Sequence, residues 1–317
     1  MKRIFTLFLF GTLATACVDR DYDLGKVETD NITIGNESST FEAPLANVYI
    51  TMEEINADNG TRIDLIFKEA DIWLPTRLPD SDDKGGYADV QRLLHDAAYV
   101  NEQLLPELLT EMATDATKLD AVATLLQENY YDDFRELLPG ISRDEFKSAF
   151  VEAYTENSAL RDALGEEVRQ LANDYLTGLD VDMQQLSYAV DRIDISNEVV
   201  DMLCDNLDPR ETTDPKNTLY LAGTVDNRLP VSLQVSPLFT PTSVNFTTKI
   251  EALDDSNELP ATRLYADDLR TIVRGMTLEI PIVIEKYYPN RGFDAGQQRQ
   301  LTIKLHLIKH GALKFDL

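Results

Sequence analysis

Residues 299–317 read RQLTIKLHLIKHGALKFDL. Leu301, Ile303, Leu305 and Leu307 fall on one side of an extended chain, and Thr302, Lys304 and His306 make most of the other. This two-residue period predicts antiparallel strands with one wet face. The same signal recurs toward the N-terminus in TLYLAGTV, LPVSLQVSPLF, VNFTTKIEAL and MTLEIPIVIEKYY, all between residues 218 and 288. ADDLRTIVRG fits a short helix ending at Gly275.

Alternation also occurs near the N-terminus. In LANVYITMEE, Val48, Ile50 and Met52 share a face. After the turn signal NADNG, Ile63, Leu65 and Phe67 alternate with Asp64, Ile66 and Lys68, which predicts a second strand. ADIWLPTRLP adds a strand end containing Trp73, stopped by Pro75 and Pro79.

DSDDKGG is a break, and from Tyr87 to Leu207 apolar residues recur at three and four. Val90, Leu93, Leu94 and Ala97 are followed by Leu104, Leu105, Leu108, Leu109 and Met112, then by Leu119, Val122, Ala123 and Leu126. Pro106 marks a first helical turn or a kink. Ser142 with Glu145 makes a capping box for a helix presenting Phe146, Phe150, Val151 and Tyr154. A further helix carries Leu160, Leu164, Val168, Leu171, Ala172 and Tyr175 before Gly178, and another is expected near Asp180 from Leu186, Ala189, Val190 and Ile193. Ser196 caps a last one containing Cys204.

Two or three early strands have too little apolar face to stand alone, whereas joining them to the late strands closes one core. The expected fold is therefore α+β: an antiparallel β-sandwich built from 32–83 and 208–317, with a helical bundle, 84–207, inserted between its strands.

The first 31 residues read differently. Lys2 and Arg3 precede the apolar run Ile4–Leu13 and the small residues Ala14, Thr15 and Ala16, the layout of a signal peptide spanning 1–16. The run is shorter than the roughly 20 apolar residues a membrane-spanning helix needs. LATAC resembles the lipobox of bacterial lipoproteins, which implies acylation at Cys17. Acyl chains hold a soluble body to a membrane at roughly 0.8 kcal/mol per buried CH₂. Asp19, Asp21 and Asp23 then open an acidic tether, 17–31, that like-charge repulsion keeps extended. It resembles the acidic export signal of surface lipoproteins of the Bacteroidota.

With Tyr22, Asp23 and Leu24 as a Tyr-Asp-Leu word, CVDRDYDLGKVETDNITIG is similar to the start of uncharacterised lipoproteins of gut and oral Bacteroidota; LPVSLQVSPL is a weaker echo of β repeats in that group. The resemblance covers the first tenth of the chain. It implies a lipid-anchored, outer-membrane or cell-surface address and brings no catalytic residue.

A net charge of −27, from 56 acidic against 29 basic residues, repels nucleic acid and acidic headgroups. It falls to −29 once Lys2 and Arg3 are removed with the signal peptide. Beyond Cys17 the sequence has one cysteine, Cys204, on an apolar helical side where a small buried hydrophobe belongs. Only His95, His306 and His310 are present, without metal-ligand spacing. His306 and His310 on one continuous strand would lie about 13 Å apart. NADNG fails as an EF-hand, since Ile55 falls where the first aspartate ligand belongs. Asp254 and Asp255, or Asp180 and Asp182, would hold a weak divalent ion only if the fold converged their oxygens.

No cofactor, metal or catalytic set is expected. The aromatic words ENYYDDF and EKYYPNRGF, together with Trp73, offer Tyr130, Tyr131, Tyr287, Tyr288 and Phe293 as a ligand platform on which a sugar could stack. Core packing competes for the same rings. The expected function is a non-enzymatic surface lipoprotein, membrane-bound through acyl chains on Cys17, that binds a protein or adhesive partner. A glycan-binding protein and a fimbria-associated structural component are the alternatives, with a hydrolase behind them.

Overall fold

A computed structural model describes residues 32–51, 55–56, 62–181, 184–190, 196–242, 244–293 and 299–315. The signal peptide, Cys17, the acidic tract at Asp19, Asp21 and Asp23, most of NADNG, Asp182 and Ile193 lie outside these residues. Helices and antiparallel sheets share the described chain, an α+β mixture.

The first strands are β1 (Ile32–Ile34) and β2 (Thr40–Thr51). Where a second strand was expected, the chain forms helix α1 (Ile63–Trp73). Ile63, Leu65 and Phe67 satisfy a two-residue period, but Ile63, Phe67, Ala70 and Trp73 satisfy a helical one, and these four are buried while Leu65 is 48% exposed. Trp73 thus closes a helix. The Asn56 side chain accepts from the Ile63 N–H at 3.0 Å, and Lys118 Nζ donates to Leu74 O at 2.6 Å and Asp71 O at 3.3 Å at the other end. One end's orphan donor and the other's orphan acceptors are satisfied by side chains from outside the helix.

DSDDKGG is a hairpin: β3 (Asp80–Asp82) pairs with β4 (Gly85–Asp89). Gly85 carries the turn at φ 122°, which a residue with a Cβ rarely adopts. Helices α2 (Val90–His95), α3 (Leu105–Thr114), α4 (Ala116–Asn129), α5 (Arg143–Glu156) and α6 (Ser158–Thr177) follow. Pro106 lies in the first turn of α3, directly after a π turn over Tyr99–Leu104. Glu145 accepts from Ser142 N at 3.4 Å and Oγ at 2.6 Å at the start of α5.

The helix expected near Asp180 is instead strand β5 (Gln184–Val190), paired antiparallel with Met276–Ile282. Gln185 and Ser187 are exposed and Leu186 is buried, the alternation of a sheet. Between β4 and β5 the chain is helical, one further helix follows β5 within segment 84–207, and both strands join the sheet of the late chain.

Helix α7 (Asn197–Asp205) leads into β6 (Thr218–Asn227), β7 (Val231–Val235), β8 (Leu238–Thr240), β9 (Thr248–Ile250) and β10 (Asp254–Leu264). Helix α8 (Ala266–Arg274), β11 (Met276–Tyr287), β12 (Gln300–His310) and β13 (Leu313–Phe315) complete the described chain. Helix α8 ends at Gly275, φ 104°.

One antiparallel sheet has the order β10-β6-β12-β2. A second centres on β11, which β7 and β8 border on one side and β5 and β4 on the other; β3 and β9 extend it, and β1 pairs with β13. Both edges of the first sheet are interrupted where proline occurs. The β2 register slips beside Pro44, and the β10 register slips between Leu259 and Thr262, around Pro260. Ile50, Val225 and Leu301 of the first sheet, Leu233, Ile282 and Ile284 of the second, and Phe67, Leu108 and Val168 of the helices belong to one continuous apolar core.

Candidate functional site

Of the six rings of the expected aromatic platform, Tyr130, Tyr131 and Phe293 are half-buried against the core. Trp73, Tyr287 and Tyr288 are buried, each hydroxyl or indole N–H held by an acid. Phe67 centres one cluster: the Tyr287 ring is 4.3 Å away and the Phe293 ring 5.8 Å away. Tyr287 donates to Asp71 Oδ1 at 2.6 Å, and burial followed by that carboxylate pushes its hydroxyl well above the usual tyrosine range. Trp73 meets Tyr130 edge-on at 5.8 Å, and both donate to Glu69 Oε1, at 3.4 and 2.7 Å. Tyr131 packs against Phe146 and donates to Ile141 O at 2.6 Å. ENYYDDF and EKYYPNRGF thus fix helices α1, α4 and α5 to one another and to β11. The physical reason is area: each ring buries roughly 150–250 Å² and its polar tip needs a partner, which α1 supplies as Glu69 and Asp71.

Tyr288 lies in a more open seam. Its hydroxyl donates to Asp82 Oδ2 at 2.6 Å, and Lys286 Nζ lies 3.7 Å from Asp82 and 3.5 Å from Glu251. Burial raises the Asp82 carboxyl, but the Tyr288 hydroxyl, the Lys84 N–H and the lysine charges outweigh it and hold the group below its ordinary value. Lys84 reaches Asp254 at 3.7 Å, so the seam ties the β3–β4 hairpin to β10. Beside it, Arg228, Leu253, Asp254, Asp255 and Arg299 line a shallow polar cleft. Leu253 has φ 53°, a strained left-handed conformation for a leucine. The cleft's groups are engaged internally: Asp254 accepts from Ser256, Arg228 from its Nε donates to Asp226, and Arg299 donates to Arg228 O and Arg291 O.

Cys204 is buried, its Sγ 3.5 Å from Ala266 O, and burial holds the thiol above its ordinary pKa. A protonated thiol is a poor nucleophile. His306 and His310 face separate partners, Glu42 at 3.6 Å and Thr40 at 3.0 Å. Among the described residues no group of three or more His, Cys, Asp or Glu side chains is placed to hold a metal ion, and no helix is long and apolar enough to cross a membrane.

A third constellation carried no sequence signal. Tyr265, between β10 and α8, is contacted by two guanidinium groups: Arg210 Cζ lies 3.8 Å and Arg263 Cζ 4.7 Å from its ring centre. Arg210 comes from the loop 208–217, which Asp208 folds by accepting from the N–H groups of Lys216 and Asn217 at 2.6 and 2.8 Å. Arg263 anchors that loop through Nη2 to Asp208 O at 3.3 Å.

Compared with known protein families, with curated proteins and with solved structures, the chain has no match in any of the three.

Proposed function

We propose that this chain is an acyl-anchored lipoprotein of the outer membrane or cell surface whose body binds a protein or adhesive partner and turns over no substrate. The observation that carries the address is LATAC followed by Asp19, Asp21 and Asp23. The burial of Trp73, Tyr287 and Tyr288 favours a protein partner over a stacked glycan, because those faces are closed to a sugar. A mature chain of charge −29 also suits contact through local patches, with like-charged envelope surfaces held off.

The two larger sheets are read as a β-sandwich around the shared core, with facing layers about 10 Å apart. Spin-label distances between Val225 and Ile282 well beyond that spacing would remove the sandwich from the proposal.

Intact-mass measurement of membrane-extracted protein should show acyl groups on Cys17 and no residues 1–16. Cys17→Ser should release the body into the soluble fraction, and a mature unlipidated chain starting elsewhere would sink the assignment. Crosslinking on intact cells alongside a glycan array separates a protein partner from a glycan, while reproducible hydrolysis by purified protein would overturn the non-enzymatic reading.

A further inference from the structure

The geometry points to a recognition site for a single carboxylate group at Arg210, Arg263 and Tyr265. Arg210 is 58% exposed, lies flat enough on the Tyr265 ring to place Cζ 3.8 Å from its centre, and reaches Asp268 only at 3.9 Å. That separation is a charge contact beyond hydrogen-bond length, so the outer edge of the guanidinium fork keeps its donors. Arg263 contacts the same ring from β10, donates through Nη2 to Asp208 O, and has its Nε buried without a hydrogen-bond partner among the described residues.

Charge selects the ligand class. Two guanidinium groups stand against the buried carboxylate of Asp268 and the carboxylate of Asp208. The α8 N-terminus is already occupied, since Tyr265 N donates to Asp268 Oδ2 at 3.1 Å. A dianion such as phosphate would add two further negative charges beside these carboxylates. A carboxylate adds one and matches the planar fork in a bidentate pair. The tyrosine ring fixes the arginines by cation–π contact at little further entropic cost, which preorganises them. In a protein of charge −27, long-range attraction cannot gather acidic ligands, so recognition has to occur at such a short-range island.

The carboxylate is that of an acidic side chain on a protein partner, the class favoured by the closed faces of Trp73, Tyr287 and Tyr288; preferential binding of a uronic sugar is the competing outcome of the test. This deepens the partner-binding reading and rests on it only for the ligand's source. With the full chain in detergent, arginine Nε–Hε resonances are followed while methyl glucuronide or N-acetyl-aspartate methylamide is added, with methyl glucoside and N-acetyl-asparagine methylamide as neutral controls.

Saturable shifts with either acid, absent with its neutral control, are expected; the acid that saturates at lower concentration identifies the source. Arg210→Ala should weaken binding roughly tenfold or more with an unchanged thermal midpoint. Arg210→Lys keeps the charge, loses the fork and should fall between, so it carries the test if the alanine variant unfolds. Equal response to acid and neutral ligands, no saturation, or undiminished binding by both variants overturns the site. Continued cellular crosslinking by Arg210→Ala, together with lost carboxylate binding, would leave both readings standing but place the main partner contact elsewhere. Unchanged carboxylate binding in both variants with partner crosslinking intact removes this site alone.

Discussion

Tyr287 and Tyr265 each stand near an aspartate, yet their surroundings treat the ring in opposite ways. At the contact between α1 and β11, Tyr287 is closed on every side, with its hydroxyl on Asp71 and its faces toward Phe67 and Phe293. At the corner between β10 and α8, Tyr265 offers its ring to two arginines, one of which is largely in water. The first arrangement gains its energy from apolar area and one strong hydrogen bond. The second retains unused donors at the surface. Proximity of an aromatic ring to acids therefore does not identify a binding site; solvent access to the polar groups decides.

This contrast can be broken most forcefully at its core end. Phe67→Ala should cost about 3–5 kcal/mol, because a wholly buried ring is lost from among Tyr287, Phe293 and α1. Urea unfolding monitored by near-ultraviolet circular dichroism measures it, and a loss below about 1 kcal/mol would mean that this cluster is loosely packed.

Tyr287→Phe is the sharper, smaller change, expected at about 1–3 kcal/mol because it removes the hydrogen bond from a buried hydroxyl to the half-buried Asp71 carboxylate. Combined with Asp71→Asn, the two losses should not add. The folded pKa of Tyr287 is raised, so its contribution is fully present below the unfolded value near pH 10 and declines as pH rises above it. Tyr287→Phe should accordingly flatten the alkaline side of the stability curve.

The weakest expected effect lies at the rim. Backbone hydrogen bonds from Asn217 and Lys216 hold the Asp208 carboxyl below its ordinary value. The stabilisation is present above the unfolded value and lost as pH falls below about 4, through the folded value. Amide exchange at Lys216 and Asn217 should therefore rise in acid before exchange in α6 does, and simultaneous loss would show that loop and helix open as one unit.

Helix α6 was legible because Leu164, Val168, Leu171, Ala172 and Tyr175 recur at three and four, a set that alternation cannot hold on one face, and Gly178 follows its last residue. Helix α1 was not, since its first five residues fit both periods and the deciding fact, exposure of Leu65, belongs to tertiary packing. Strand β10 was hidden by Pro260 and by acids suited to a turn; an edge position with two register slips accommodates both. Strand β5 forms against β11, a partner nearly ninety residues later that local spacing could not foresee. For the site, the sequence showed which rings were available but not which would be sealed. Arg210, Arg263 and Tyr265 come from a loop, a strand end and a helix start, so no motif joins them.

The pairing of β2 with β12 has a consequence for how the chain is made. Thr40 and His310 meet at 3.0 Å although 270 positions separate them. Helices α3 to α6 need only near neighbours and can condense while synthesis continues, whereas this sheet must wait for a long loop to close. Because β12 is an inner strand between β6 and β2, a chain halted before residue 300 would leave two bare strand edges facing a missing partner. Such incomplete chains would be sticky toward one another, and β12 thereby separates a closed sheet from an aggregation-prone fragment.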